Sequence, residues 1–130
     1  MAHYPEKLYR AMFCLLSHYY RVRPTDGLGA FLGSLNTAFP WRDGKPADPA
    51  LGQDWQEVVN QVLGEGARDV PHTEGLRVVK QFVDTQYHQW GWDIAEVVVE
   101  VTQLLSVQRG GYLSWDDWGR CIRDAGLEPS

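Results

Sequence analysis

The sequence predicts an all-α protein of about six helices in one domain, and three observations predict it. Apolar residues recur at three- and four-residue spacing in six separate stretches. Pro, Gly and Asp collect in the breaks between those stretches, where turns and helix caps belong. The chain has 130 residues and is 44% hydrophobic, enough for one buried core and too short for two comfortable domains.

The first helix opens at Pro5, since proline lacks only an N–H that a first turn leaves unused. Leu8, Ala11, Met12, Leu15, Leu16 and Tyr19 form its apolar face, and Pro24 ends it. Thr25 or Asp26 caps a short second helix carrying Leu28, Phe31, Leu32 and Leu35. "NTAFPWRDGKPADP" is the main loop. Asp48 then caps a third helix that has Pro49 at its first position and Leu51, Trp55, Val58, Val59 and Val62 on one face.

A polar connection, "GEGARDVPH", leads to Thr73, placed to cap a fourth helix through Leu76, Val79, Phe82, Val83 and Tyr87. The chain turns at "WGWD", and Asp93 is placed to cap the fifth helix. Its β-branched "VVVEV" run invites a strand, but Ile94, Val97, Val98, Val101, Leu104 and Leu105 follow helical spacing rather than alternation. "QRGGYL" is a turn. Ser114 and Asp117 then form a capping box for the sixth helix, and Gly126 is placed to end it in the left-handed conformation.

The pair "DW" occurs in "DWQEVV" and again in "DWGRCI", and the context repeats with it. "LYRAMFCLLSHYY" lies opposite "LRVVKQFVDTQYH", each an apolar helix reaching Tyr19 or Tyr87. "DGLGAFLGSL" lies opposite "DIAEVVVEVT", each led by an aspartate. Asp54 and Trp55 then fall opposite Asp117 and Trp118. The order of these features predicts two related three-helix units, residues 5–63 and 73–126. A tryptophan early in each third helix fills the space between the other two, and its N–H needs one acceptor.

Net charge is −5 and the isoelectric point about 5.2. That balance disfavours direct contact with nucleic-acid phosphates and suits a basic protein partner. Arg21 and Arg23, after "HYY", make only a small basic spot. Cys14 and Cys121 sit far apart in apolar stretches and outside metal-type spacing, so buried free thiols are expected rather than a disulfide. The N-terminus shows no secretory leader pattern and no stretch long enough to cross a bilayer, which makes the cytoplasm the expected address.

"TDGLGAFLGSL" followed by "DGKPADPALGQDWQEVV" resembles small bacterial immunity proteins of polymorphic toxin systems, contact-dependent growth inhibition among them. In that pattern an aspartate-led "LxxLLG" segment precedes "DGxPADPxxWxDW" and an apolar tail. The likeness covers about residues 8–62. Gly52 stands where the pattern has its first tryptophan, and the second half matches more loosely. The resemblance implies a protein that binds one cognate toxin domain and blocks it. It assigns no residue to that contact, and Leu32, Gly33, Pro46, Asp48, Pro49 and Trp55 look like fold-builders.

No catalytic, cofactor-binding or metal-ligating set stands out. Asp84 and His88 make one carboxylate–imidazole pair at i, i+4, and a histidine near a helix C-terminus is commonly there for the dipole. HExxH, paired CxxC, a phosphate-cradling glycine loop and GxSxG are all missing from the sequence. The partner-binding candidates cluster around "YHQWGWD": Asp84, His88, Trp90 and Trp92, joined by Glu96 and Glu100. Exposed indoles would anchor a basic protein surface and carboxylates would steer it. The competing assignment is that both tryptophans staple helices four and five together. At the level of function, a toxin-binding immunity protein stands beside a helical scaffold or regulator with an unrelated partner.

Overall fold

A computed structural model describes residues 4–35, 49–64, 72–107, 109 and 111–127. They form six helices: α1 (Tyr4–Val22), α2 (Asp26–Leu35), α3 (Pro49–Leu63), α4 (His72–Trp90), α5 (Ala95–Val107) and α6 (Trp115–Asp124). The valine-rich run is helical. An isolated bridge between Arg109 and Ser114 is the extended pairing among the described residues. Asp48 and the loop carrying Trp41, Asp43 and Pro46 lie outside the described residues, as does most of the connection before α4.

The caps follow local chemistry. Thr25 rather than Asp26 caps α2, its Oγ1 accepting from the Leu28 N–H at 3.3 Å. Helix α4 begins at His72, one residue before the expected cap Thr73. Ile94 rather than Asp93 precedes α5, and its carbonyl accepts from the N–H groups of Val97 and Val98. Ser114 and Asp117 form the full capping box of α6. At its other end Gly126 has φ +84°. Leu127 N–H returns to the Ile122 carbonyl and Gly126 N–H to that of Arg123, which satisfies two carbonyls otherwise left open.

One continuous apolar core draws residues from all six helices, from Leu8 in α1 to Ile122 in α6. Helix α1 packs on α6 and α4 on α3, while α2 and α5 pack against α1 and α4. Two sets of contacts repeat between the halves. Trp55 Nε1 donates to the Pro5 carbonyl at 2.7 Å, and Trp118 Nε1 to the His72 carbonyl at 2.9 Å. Each indole thus finds its acceptor at the start of the first helix of its own half. Across the halves, Gln86 in α4 donates to Asp54 at 2.9 Å, and His18 in α1 lies 3.5 Å from Asp117. The alignment of α1 with α4 that places Tyr19 on Tyr87 also places His18 on Gln86.

Trp55 lies edge-on to both Tyr9 and Phe82, bridging α1 and α4. Trp118 is fully buried. Gly75 makes room for it, since a Cβ there would lie 3.0 Å from Leu8 Cδ1 and 3.4 Å from Trp118 Cζ2. Gly27 serves the α2–α5 junction in the same way, because a Cβ would overlap the Asp93 carbonyl.

The expectation of free thiols is corrected. Cys14 and Cys121 form a disulfide across a Cα–Cα distance of 5.6 Å, within the span a bridge needs. Packing of α1 on α6 brings together two residues 107 positions apart.

Candidate interaction surface

The C-terminal end of α4 sets the geometry. Lys80, Asp84 and His88 follow one another at i, i+4, with Asp84 Oδ1 3.1 Å from His88 Nε2 and its Oδ2 3.7 Å from Lys80 Nζ. The imidazole stands close to the helix end, where the dipole favours a cation, and meets the Tyr87 ring in a T-shaped contact. Trp90, the last residue of α4, is 62% exposed. Gly91 then turns the chain with φ +71°, a conformation that strongly favours glycine.

The turn sends Trp92 inward. Its ring centroid lies 5.0 Å from that of Phe31 in α2, and its backbone N–H donates to the Gln86 carbonyl. Of the two tryptophans in "WGWD", one is a staple and the other is surface. The staple reaches α2 through Phe31.

The two glutamates do not extend the surface as a pair. Glu96 is half-buried and accepts from Thr25 Oγ1 at 3.1 Å, joining α5 to the start of α2. Glu100 is only 4% exposed. Its carboxylate accepts three backbone N–H bonds, from Gly111 at 3.0 Å, Tyr112 at 2.8 Å and Leu113 at 2.7 Å. The sequence places Glu96 and Glu100 on one outer face, and the fold corrects this. Glu100 lies inside the buried stripe of Val97, Val101 and Leu104, where it holds the turn and satisfies the N–H of the buried Leu113.

A second aromatic site escaped the sequence argument. Tyr112 is 47% exposed. The Arg23 guanidinium sits over its ring at 5.5 Å, and Tyr19 meets it edge-on at 5.8 Å. The basic spot after "HYY" is therefore partly spent on a cation–π contact. Burial pushes the Tyr19 hydroxyl above its ordinary pKa; Arg23 opposes that shift, while Glu100 and Glu96 add to it.

Among the described residues no group of three or more His, Cys, Asp and Glu side chains is placed to hold a metal ion. His18 has a carboxylate neighbour in Asp117, but the other oxygen of that carboxylate accepts the Ser114 N–H of the capping box. No described helix is long and apolar enough to cross a membrane. The α4 terminus thus carries an exposed indole at Trp90 and, on another face of the helix, the Asp84–His88 pair. No family model, curated protein or solved structure matches the chain.

Proposed function

We propose that this chain is an immunity protein that neutralises a cognate toxin domain by stoichiometric binding and performs no reaction of its own. The observation that carries the proposal is Trp90, an indole held in solvent at the end of a packed helix. Tryptophan is enriched among the residues that dominate binding energy at protein interfaces. Asp84 and His88 lie in the preceding turns of the same helix, and the net charge of −5 favours encounter with a basic toxin of the nuclease kind. The likeness of "TDGLGAFLGSL" and "DGKPADPALGQDWQEVV" to immunity proteins supplies the partner class.

The toxin would be met in the cytoplasm. The Cys14–Cys121 bridge weighs against that address, since disulfides persist mainly in oxidising compartments. Trapping the thiols in intact cells decides the point.

The test is to establish whether a toxin gene ends immediately upstream and to co-express its C-terminal domain with this chain. The wild-type chain is expected to co-purify with that domain in equal amounts and to restore growth. Trp90→Ala is expected to fold normally and to lose at least ~2 kcal/mol of binding. Failure to bind or to rescue would remove the toxin assignment and leave a scaffold or regulator with another partner.

A further inference from the structure

A cleft of about 400 Å³ lies between the start of α4 and the outer side of α6, lined by His72, Trp115, Asp116, Gly119, Arg120 and Arg123. Arg120 and Arg123 are exposed, and neither forms an ion pair among the described residues. The backbone of His72 is fixed by the hydrogen bond from Trp118. Its Nε2 is buried and has no hydrogen-bond partner among the described residues, a condition native structures seldom leave unmet.

The other half of the molecule supplies an internal control. The alignment that lays Trp55 on Trp118 lays Gly52, Gln53, Gln56, Glu57 and Asn60 on Trp115, Asp116, Gly119, Arg120 and Arg123. No arginine and no indole recurs, and Glu57 stands where α6 has Arg120. The tryptophan anchor is common to both halves; the cationic wall is not. Building the three-helix scaffold therefore does not require it.

We infer that this cleft binds a phosphate monoester that carries a flat organic group. Two guanidinium forks on one helix match phosphate oxygens in charge and geometry. The half-buried Trp115 indole on the same wall offers a face for a planar group. The volume exceeds what a bare phosphate fills and falls in the range of small-molecule sites. Asp116, on the same helix face as the two arginines, disfavours a second anionic group on the ligand. The inference does not rest on the toxin assignment, since neither Trp90 nor Asp84 lines the cleft.

Phenyl phosphate and inorganic phosphate are the probes, titrated by calorimetry with amide and imidazole NMR shifts as the site-specific readout. Wild type is expected to bind phenyl phosphate saturably and more tightly than inorganic phosphate, with shifts at His72 and Gly119. Combining Arg120→Ala with Arg123→Ala is expected to weaken phenyl phosphate at least tenfold while the melting temperature holds. Trp115→Leu is expected to remove the preference for the phenyl ester. Absence of saturable phenyl phosphate binding, or equal affinity in the double arginine variant, overturns the site. Equal affinity of wild type for the two probes overturns the flat organic group.

Discussion

Trp118 ties α6 to the first residue of α4, its indole N–H donating to the His72 carbonyl at 2.9 Å. Trp55 makes the matching bond from α3 to Pro5. Both indoles combine a large buried apolar area with one satisfied polar atom, so each joins two helices by packing and by direction. Trp118→Ala or Trp55→Ala should therefore cost about 3–5 kcal/mol, as other large core truncations do. Urea denaturation measures the loss. A fully stable Trp118→Ala protein that fails to bind its partner would make the tryptophan part of the site.

Trp118→Phe separates the two roles. It keeps most of the ring volume and leaves the His72 carbonyl without its donor, a change expected to cost about 1–3 kcal/mol in a buried setting. A cost equal to that of the alanine variant would mean that the hydrogen bond matters more than the packing.

Glu100→Gln should loosen the turn at residues 111–113. Charged acceptors make stronger bonds than neutral ones, and this carboxylate accepts three N–H groups. The amides of Gly111, Tyr112 and Leu113 are expected to exchange with solvent faster, and the variant to lose about 2 kcal/mol. Unchanged protection of those amides would show that the turn is held by other contacts.

Reduction of Cys14–Cys121 should lower stability by about 5 kcal/mol on the chain-entropy account, because the bridge closes a long loop. Cys14→Ser is expected to reproduce the effect and to be insensitive to reductant. Equal midpoints with and without reductant in the wild type would assign the α1–α6 interface to packing alone.

Alkaline pH should destabilise the fold through Tyr19. Burial raises its hydroxyl above the ordinary tyrosine value of 10.0, so the unfolded chain ionises first. Stability from this group is complete below pH 10 and falls as pH rises through the interval up to the folded value. Tyr19→Phe is expected to flatten that part of the stability–pH curve.

The helices were legible because spacing, proline and capping residues are local signals. Val97, Val101 and Leu104 mark a helix whatever their β-branching, and Ser114 with Asp117 marks a start wherever it occurs. Glu100 shows where such reasoning slips. Its spacing from Glu96 suggests a shared outer face, yet it also stands three residues after Val97 and four before Leu104, inside the stripe that becomes buried. A carboxylate there signals an internal task, and the donors that need it lie in the turn before α6. Trp90 and Trp92 are separated by one glycine, and only the turn at Gly91 decides which of them faces Phe31. The cysteine pairing and the approach of His18 to Asp117 depend on how α1 meets α6, for which sequence separation gives no sign. The cleft of His72, Arg120 and Arg123 was missed for the same reason: its walls come from two helices distant in the chain.

The bridge also changes what a single cut can do. Cys14 belongs to the first three helices and Cys121 to the last three, so hydrolysis of one peptide bond between the halves does not produce two molecules. A chain with a protease site inserted between α3 and α4, once cut, should migrate as one species in a denaturing gel without reductant and as two fragments with it. Before reductant is added, the halves remain at high effective concentration, and the nicked protein should recover its helical signal after denaturant is removed in a first-order process that does not depend on dilution.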